Sequence, residues 1–553
     1  MKTEQKPVWQ NGFSKELARL GNGRSKDDTP GTNTINWLHR HEIPPHKKPT
    51  YTRICTNYRP QKEDPYRVRC TLGGNLIQYP GAKSTPTASI PVIKLLINSV
   101  LSTKEAKFCS VDIKDFYLQS TLPDAEYISV PFQLIPPDII EDYKLKDKVS
   151  NGNVYARVNK GIYGLPQAGK LAHDDLVQHL AKGGYYPTKY TPGLFTNRTK
   201  TIQFALVVDD FGIKYTNQRD LNHFLSHLRQ KYTITHDEGT RFNGVHLKWD
   251  YMKRECELSI PEYCIKALIR FKHPTPTKQQ HSPYPWQPPR YGQTIQYAVQ
   301  PKDPNNKLSP IQLKLLQEIV GTFRFYADTV DATMIMPVSA LSTDANNVET
   351  RELERRKNHF LDYVATYPDA KLKYIASDMH LWAHTDASYL SEPRARSRAG
   401  GFYYLSSKPN LPIKANDPPP PLNGAVAVKS KIIDAVMSSV QEAETGAGFY
   451  NAKQLLPLRQ TLEELGHPQG PTPLQFDNQS AKQILNEEVS QKRSKAMDMR
   501  YYWLRDRAKQ QQFHIHWKAG THNIADYVTK HHSPSHHKTM RPIFLFDGKN
   551  KIL

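Results

Sequence analysis

Two adjacent aspartates at the end of an apolar run are the first residues of this sequence that could do chemistry. Asp209 and Asp210 directly follow residues 204–208, which read FALVV. Neighbouring carboxylates at the end of a buried strand repel each other and lose hydration unless a cation or solvent compensates. For this pair taken alone, a surface turn is the alternative, because aspartate is common in turns.

A second apolar run, residues 108–111, ends at Asp112. Together, the three acids could hold two Mg²⁺ or Mn²⁺ ions, one activating a 3′-hydroxyl and one steadying the leaving phosphate. This chemistry needs hard oxygen ligands, which explains why carboxylates rather than His or Cys would converge. Asp112, Asp209 and Asp210 are therefore our first candidate metal ligands.

Four further acids recur towards the C-terminus with a different spacing. They are Asp386 in HTDASY, Glu444 in SSVQEAETGAGFY, Asp477 in LQFDNQSA and Asp526 in GTHNIADYVTK. Four acids, one per predicted element, could bind two such ions that activate water against a phosphodiester. Each acid alone is more often a surface carboxylate, but three of the four follow short strands or begin helices. The set is our second candidate metal site.

Helix geometry distinguishes Glu444 from its neighbour Glu442. An apolar stripe at helical spacing comprises Val440, Ala443, Ala447 and Tyr450. Glu444 borders this stripe, whereas Glu442 lies about 200° from Glu444 at roughly 100° per residue. We predict that Glu444 is the ligand and that Glu442 is solvated.

The elements that must position these acids follow from local patterns. Pro91 opens a helical pattern with apolar residues at spacings of three and four, and the runs before Asp112 and Asp209 read as buried strands. Residues 271–306 are rich in proline and poor in helix signals, and a helical block follows over residues 310–367. A new strand at HLWAHTDASY begins a second α/β unit that runs to about Lys530.

Composition restricts the class of protein and of partner. The 553 residues carry 75 basic and 53 acidic side chains, a formal net charge of +22. Such an excess favours a polyanionic partner over charge that serves solubility alone. Five scattered cysteines without a CxxC pair argue against a disulfide framework or zinc ribbon and favour a reducing compartment. No apolar window has the length of a membrane span, so no membrane partner is expected.

Five blocks of the N-terminal half occur in a fixed order. They are SVDIKDFYLQSTL, YISVP, KGIYGLPQAGK, LVVDDFGIKY and RFNGVHLKW, with YRVRC upstream. This series resembles the reverse transcriptase of copia-type LTR retrotransposons. The resemblance implies that Asp112 is the first catalytic aspartate and that Asp209 and Asp210 are the catalytic pair.

The resemblance also implies roles in nucleotide binding for four other residues. Tyr117 matches the aromatic gate that excludes a ribose 2′-hydroxyl, although packing alone would also explain an aromatic residue there. Gln167 matches the glutamine that lines the incoming nucleotide, although its context also reads as a turn. Arg67 and Arg69 resemble the basic pair that meets the triphosphate, and for Arg67 a solvated edge strand is the alternative.

Two departures from the family pattern accompany this match. Val207 stands where the family usually has tyrosine, and Gly169-Lys170 replaces the usual proline-arginine. Neither change removes a metal ligand, so we expect altered rate or fidelity rather than loss of chemistry.

The C-terminal acids lie in motifs that resemble the ribonuclease H domain of the same polyproteins. His522, four residues before Asp526, is a candidate proton shuttle or an ordinary loop histidine. A helix near the C-terminus has an apolar face and a charged face that either contacts a nucleic-acid backbone or is merely solvated. Its apolar face comprises Met497, Tyr501, Leu504 and Ala508, and its charged residues are Lys495, Arg505, Arg507 and Lys509.

The implied fold class is α/β and α+β multidomain, with a right-hand polymerase palm and fingers followed by a ribonuclease H-like α/β domain. The expected division is an N-terminal arm or linker (1–50), fingers and palm (51–275), a Pro-rich linker (276–309), a helical thumb or connection (310–375), the ribonuclease H-like domain (376–531) and a tail (532–553). The His-rich tail is expected to be disordered, with weak metal binding as the alternative.

The implied function is that of an RNA-directed DNA polymerase with ribonuclease H activity. It would use two Mg²⁺ or Mn²⁺ ions in each active site, and its partners would be an RNA template, a primer, dNTPs and the RNA/DNA hybrid. A cytoplasmic location, in virus-like particles if the element is active, is expected, and the oligomeric state is open. The alternative is an inert or co-opted nucleic-acid-binding protein that keeps the fold.

Overall fold

The computed structural model describes residues 6–24, 28–58, 65–286, 308–487 and 498–546. The helices are α1 (Lys6–Leu20), α2 (Ile90–Ser102), α3 (Pro137–Asp142), α4 (Ala168–Lys182), α5 (Gln218–Arg229), α6 (Tyr263–Arg270), α7 (Pro310–Thr329), α8 (Ile335–Asn347), α9 (Thr350–Thr366), α10 (Val440–Glu464), α11 (Gln479–Leu485), α12 (Asp498–Lys509) and α13 (Pro534–Leu545).

The strands of the N-terminal half are β1 (Gly23–Arg24), β2 (Thr29–Pro30), β3 (Ile35–Leu38), β4 (Thr50–Tyr58), β5 (Tyr66–Leu72), β6 (Lys107–Ile113), β7 (Thr121–Pro131), β8 (Asn153–Lys160), β9 (Tyr186–Pro187), β10 (Leu194–Thr196), β11 (Ile202–Val207), β12 (Asp210–Tyr215), β13 (Ile234–Asp237), β14 (Arg241–Phe242), β15 (Val245–Asp250) and β16 (Glu255–Ser259). Those that follow are β17 (Lys371–Ile375), β18 (His380–Glu392), β19 (Arg396–Ser406), β20 (Ala425–Ile432), β21 (Thr472–Phe476) and β22 (Phe513–Trp517). The chain is thus a mixed α/β multidomain protein, as the sequence predicted.

A six-stranded sheet in the order β13-β6-β12-β11-β10-β9 carries the first group of acids. Its central strands are largely buried, and α4 and α5 contribute Leu176, Leu180, Phe224 and Leu228 to the core beneath it. Because β6 and β12 are antiparallel neighbours, the start of β12 lies beside the end of β6. The sheet therefore brings two distant acidic segments together.

The second sheet of the N-terminal half has the order β3-β8-β7-β4-β5. Strand β5 pairs with β4 along its length, which places Arg67 and Arg69 on one edge strand of this sheet. Since they are two residues apart, both side chains lie on the same face. Most of this sheet lies within residues 51–275, predicted to be fingers and palm, and its assignment to the fingers stays a prediction.

The C-terminal sheet has the order β20-β19-β18-β21-β22. Strands β18, β19 and β20 form an antiparallel meander, whereas β21 and β22 pair parallel to β18 and to each other. Helix α10 packs across β18 and β19 through the buried Ala443, Ala447 and Ala452, whose small side chains allow close approach. Long β18 and α10 are thereby fixed against each other at the second group of acids.

The predicted helical block joins the two halves rather than standing apart. Strand β17, at the end of this block, completes a four-stranded sheet in the order β14-β15-β16-β17. One continuous hydrophobic core includes α2, this sheet, α7 to α9 and the C-terminal sheet. The segment 310–375 therefore packs against both the N-terminal and the C-terminal half of the chain.

The structure differs from the arm or linker expected over residues 1–50. Residues 6–20 form helix α1, and its Phe13, Leu17 and Leu20 are buried in the same core as β5. The helix was missed because polar residues interrupt its apolar positions, and its stability comes from tertiary packing rather than from a regular pattern. Helix α1 is therefore part of the same packed unit as β5.

The C-terminal segment also differs from the expected disordered tail over residues 532–553. Residues 534–545 form α13, and His537 is fully buried, with its Nε2 3.0 Å from the hydroxyl of Tyr363. Part of the Pro-rich linker predicted over 276–309 and residues 547–553 lie outside the described residues. The remaining domain boundaries stay predictions.

None of the helices within the described residues is long and apolar enough to cross a membrane. All five cysteines are free thiols.

Candidate active sites

Asp112 and Asp210 are direct cross-strand neighbours. They form one register pair of β6 and β12, and the Cβ atoms of such pairs lie about 4.5–5.5 Å apart. The backbone N–H of Asn243 donates to Asp210 Oδ2 at 2.7 Å and fixes that carboxylate. Asp112 is exposed and Asp210 is half-buried, so the pair is open to a substrate on one side.

Asp209 lies in the two-residue turn between β11 and β12. Val207 pairs with Asp210 across this hairpin, and Val208 has φ +62°. A β-branched residue in the left-handed region is strained, and such strain is held in place by surrounding structure. Here the Asp209 carbonyl accepts a hydrogen bond from the N–H of Ile113 at 3.0 Å. This bond holds the turn against the residue that follows Asp112.

The environment of this trio disfavours its fully charged state. Burial raises the pKa of Asp210 to about 7, and repulsion from Asp112 and Asp209 adds to the effect. Burial also raises the pKa of Asp209, while the charge of Arg69 opposes that shift. A cation at this site would offset the burial and repulsion that raise the pKa of Asp209 and Asp210.

Two of the four predicted nucleotide-binding residues lie beside Asp209. The guanidinium of Arg69 sits 4.3 Å from the ring centroid of Tyr163, and the ring of Tyr117 meets Tyr163 edge-on at 5.3 Å. Asp209 acts electrostatically on Tyr117 and contributes to the raised pKa of this phenol, after burial. Arg69, Tyr117 and Asp209 thus lie close enough to interact electrostatically.

The other two predicted residues, Gln167 and Arg67, have different neighbours. Gln167 is buried, its Nε2 donates to Glu126 Oε1 at 3.2 Å, and its Oε1 has no hydrogen-bond partner. Arg67 is half-buried and pairs with Asn57 across β4 and β5. Among the described residues, no hydrogen bond or ion pair joins Arg67 to Asp209 or Asp210.

The second site gathers three acids from three elements. One ligand oxygen from each of Asp386, Glu444 and Asp477 lies within 4.8 Å of the others. Within the described residues this is the one group of three potential ligands that meets this spacing. The ligand oxygens of Asp112, Asp209 and Asp210 are therefore more widely spaced. The register explains the closeness, since Ala383 pairs with Leu474 and both aspartates follow three residues later on parallel strands.

Asp386 is held by two side chains from one C-terminal turn. Thr529 Oγ1 donates to Asp386 Oδ2 at 2.5 Å, and Asn523 Nδ2 approaches Oδ1 at 3.4 Å. Asp386 and Glu444 are almost fully buried, and Glu444 Oε2 has no hydrogen-bond partner. A buried carboxylate oxygen without a donor is costly unless a cation meets it.

Burial dominates the electrostatics of this site as well. It raises the pKa of Asp386 to about 7, with further repulsion from Asp526 and Asp477. It raises the pKa of Glu444 well above the usual range, with repulsion from Asp386 and Asp477. Four mutually repelling oxygen donors suit a hard divalent cation such as Mg²⁺ or Mn²⁺.

Asp526 is placed differently from the other three acids. Its charge reaches Asp386, but its Oδ1 is contacted by Lys530 Nζ, four residues later in the same motif. Sequence analysis assigned no role to Lys530. Its position four residues after Asp526 is the signal that could have identified it as the partner of that carboxylate. His522 is exposed in the neighbouring loop, and its role as a proton shuttle stays a prediction.

Glu442 corrects one prediction about this helix. Ser439 caps α10, and Glu442 is buried, accepting hydrogen bonds from the N–H and hydroxyl of Ser438. Glu442 is therefore not solvated, while Val440, placed in the buried stripe, is 50% exposed. The choice of Glu444 over Glu442 nonetheless agrees with the geometry, because Glu444 alone joins the acidic trio.

The predicted charged helix is only partly described. Lys495 and Met497 lie outside the described residues, and the side chain of Tyr501 is likewise not described. Leu504 is buried, whereas Lys509 pairs with Glu487. Nothing in these contacts identifies a nucleic-acid partner for this face.

Comparison with known proteins relates the first group of acids to a protein family. A family profile described as "Reverse transcriptase (RNA-dependent DNA polymerase)" matches residues 41–264, which include all three palm aspartates. Two solved structures are similar at 13% identity. One is a foamy viral protease-reverse transcriptase with double-stranded DNA (TM-score 0.45, 88% of this chain, 66% of that chain), and the other the same kind of protein with an RNA/DNA hybrid (0.41, 85% and 51%).

Curated relatives extend the match over most of the chain. A retrovirus-related Pol polyprotein from transposon TNT 1-94 of Nicotiana tabacum is 22% identical over 450 residues, or 80% of this chain and 31% of that protein. The transposon RE2 polyprotein of Arabidopsis thaliana is 24% identical, covering 84% and 29%. The transposon TyH3 Gag-Pol polyprotein of Saccharomyces cerevisiae is 22% identical, covering 95% and 28%.

This chain spans about a third of the length of these relatives. Residues 41–264 are therefore a reverse transcriptase domain, and most of the chain is homologous to copia- and Ty1-type Pol polyproteins of plants and yeast.

Proposed function

We propose that this protein is an RNA-directed DNA polymerase that extends a primer with dNTPs by two-metal catalysis. The observation that carries the proposal is the pairing of Asp112 with Asp210 across β6 and β12, with Asp209 in the adjoining turn. We further propose that the C-terminal part cleaves the RNA strand of RNA/DNA hybrids, supported by the closeness of Asp386, Glu444 and Asp477.

Both acidic groups fit Mg²⁺ or Mn²⁺, two per site. When bound, the ions would activate the 3′-hydroxyl or a water molecule and stabilise the leaving oxygen. Asp112, Asp209 and Asp210 would hold them in the first site, and Asp386, Glu444, Asp477 and Asp526 in the second.

The surrounding residues perform separate tasks. Arg69 presents guanidinium N–H groups to the triphosphate beside Asp209, with Arg67 on the same strand face, since arginine matches phosphate oxygens in pairs. Tyr117 limits the space for a ribose 2′-hydroxyl, and Gln167 lines the nucleotide with its unpartnered Oε1. In the second site, Thr529 and Asn523 keep the Asp386 carboxylate in place.

The template strand and the hybrid are the proposed macromolecular partners. A net charge of +22 supports a polyanionic partner and predicts that affinity falls steeply with salt. Helical RNA-containing duplexes are bound by shape and 2′-hydroxyl contacts rather than by base reading, so we expect activity on unrelated template sequences.

A primer-extension assay tests the polymerase proposal. Wild type and the double variant Asp209→Asn/Asp210→Asn are compared on poly(rA)/oligo(dT) with Mg²⁺ and with Mn²⁺. The wild type should incorporate dTTP, and the double variant should lose at least about a hundredfold in rate because the ion ligands are gone. The matched control Asp147→Asn, an exposed aspartate of the fingers, should remain active. Undiminished extension by the double variant would contradict the assignment.

A further inference from the structure

Tyr163 lies at the centre of the nucleotide-binding residues although no role follows from the motifs. It belongs to the loop between β8 and α4, in GIYGLPQ. One face of its ring lies under the guanidinium of Arg69 at 4.3 Å from the centroid, and its ring meets that of Tyr117 edge-on at 5.3 Å. A single half-buried side chain therefore contacts two of the four residues proposed to bind the incoming nucleotide.

The backbone fixes the position of Tyr163 relative to strand β5. The N–H of Leu72 donates to the carbonyl of Tyr163 at 2.8 Å. Gly164 follows with φ +96°, and a Cβ there would lie 2.2 Å from the Leu72 carbonyl oxygen. A Cβ on Gly74 would likewise lie 2.0 Å from the carbonyl oxygen of Gly164. Only glycine permits this approach, which seats the loop against the strand that carries Arg69.

The same loop is fixed to the segment that carries Tyr117. The N–H of Gly161 donates to the carbonyl of Ser120 at 2.8 Å, and a Cβ on Gly161 would lie 2.6 Å from the Tyr117 carbonyl oxygen. Tyr163 is thus held between two backbone contacts, one to each neighbouring segment. These contacts fix the backbone on both sides of Tyr163 and so restrict where its ring can lie.

Arg69 needs such a support. Its Nε is buried and has no hydrogen-bond partner, so the arginine side chain is not fixed at that atom. A guanidinium over an aromatic face gains cation–π attraction, and an arginine already held in place loses less rotamer entropy when it binds phosphate. The ring of Tyr163 supplies this attraction on the side of Arg69 that faces the loop.

We propose that Tyr163 is a positioning residue that holds Arg69, by stacking beneath its guanidinium, for binding the triphosphate of the incoming nucleotide. This inference rests on the proposed polymerase function. Tyr163 acts through Arg69, so its effect belongs to nucleotide binding rather than to the chemical step. Its hydroxyl takes no part in the stacking, so phenylalanine should replace it.

Steady-state primer extension with varied dTTP tests the proposal. Tyr163→Leu should raise the KM for dTTP about tenfold while kcat changes by less than about threefold, corresponding to a cation–π contact in a partly desolvated site. Tyr163→Phe should keep the wild-type KM. In an Arg69→Ala background, Tyr163→Leu should raise KM little further, because the group that it positions is absent.

The outcomes separate this inference from the proposed function. An unchanged KM in Tyr163→Leu beside an active wild type overturns the inference alone, as does an equal loss in the Arg69→Ala background. A wild type that fails to extend any primer overturns the proposed function and this inference with it. If melting shows that Tyr163→Leu does not fold, Tyr163→Met, which keeps more of the side-chain volume, takes its place in the same comparison.

Discussion

At the scale of single residues, each acidic site combines burial with repulsion. Burial is the largest cause of the raised pKa of Asp210 and of Asp386, each to about 7, and neighbouring acids add to both shifts. Such shifts are typical of functional carboxylates. A divalent cation, as in the proposed function, would offset the cost of burying these mutually repelling carboxylates.

Glu444 offers the sharpest test at this scale. Glu444→Gln should lower cleavage of a labelled RNA strand in an RNA/DNA hybrid by at least about a hundredfold, since the variant removes one charged ligand from the trio. Glu442→Gln, two residues away on the same helix, is the matched control. It keeps an acceptor for Ser438 and should cleave at the wild-type rate. Equal losses in the two variants would show that neither glutamate has the assigned role.

Sequence patterns predicted the acids but not the residues that hold the site residues in place. Asp112 and Asp210 were recognisable because each lies at the boundary of a buried strand, a position that local apolar runs reveal. Lys530 and Tyr163 were not assigned roles, since their significance comes from contacts with Asp526 and Arg69 that depend on the fold. Glu442 was predicted to be solvated because helical periodicity ignores the capping contact with Ser438.

At the scale of elements, α1 links the fingers to the first active site. Leu17 is 2% exposed in the core shared with β5, and Arg19 pairs with Glu16 and with Asp115, three residues after Asp112. The N-terminal helix therefore stabilises both the strand of Arg69 and the segment of the first aspartate.

A truncation of the Leu17 side chain tests this link. Leu17→Ala should lower the stability of the fingers by about 2–4 kcal/mol, because it leaves a cavity in a packed core. The measurement is the midpoint of the first transition in thermal unfolding. Val8→Ala, on the same helix at a residue that is 41% exposed, should change that midpoint little. If both variants melt alike, α1 does not pack as described.

The buried lysine of α2 gives a pH-dependent test. Lys94 is 3% exposed, its Nζ donates to the carbonyl of Asp328 at 2.9 Å, and burial lowers its pKa to about 7. The unfolded chain keeps this proton up to about pH 10.5. Between pH 7 and 10 the unfolded state therefore binds more protons at this site, so the contribution of Lys94 to the free energy of unfolding rises with pH.

Replacing Lys94 should flatten that rise. In Lys94→Met, the increase in unfolding free energy between pH 7 and 10 should be smaller than in the wild type by about 1–3 kcal/mol. Urea unfolding at a series of pH values measures it. Other groups contribute equally in both proteins: burial lowers the pKa of Lys214 to about 8 and raises the pKa of Cys109 to about 12, with opposite effects on the slope. Identical slopes in the two proteins would mean that Lys94 is hydrated in the native state.

Elements with strong periodic signals were the ones that the sequence predicted. The helix expected from Pro91 is α2, whose apolar stripe is buried, and the strands before Asp112 and Asp209 are β6 and β11. Helices α1 and α13 were missed because their polar residues hide the apolar face, as the buried His537 illustrates. Strand β17 forms a sheet with β16 over a hundred residues away in the chain, which no local pattern could indicate.

At the scale of the whole molecule, the two sites belong to parts that are packed together. Ser99 of α2 receives a hydrogen bond from Lys214 Nζ at 2.7 Å, and its hydroxyl lies 2.7 Å from His467 Nε2, beyond the end of α10. The palm and the C-terminal part thus share buried polar contacts as well as one hydrophobic core. Substitutions in one acidic group should still leave the other group intact, because no residue is common to both.

The most direct measurement uses one substrate for both activities, an RNA template labelled with one dye and annealed to a DNA primer labelled with another. Wild type should extend the primer and cut the RNA. Asp209→Asn/Asp210→Asn should cut without extending, and Asp386→Asn/Glu444→Gln should extend without cutting. If each double variant lost both activities to the same degree, or if neither lost either one, two independent carboxylate sites for metal ions could not be the basis of catalysis in this chain.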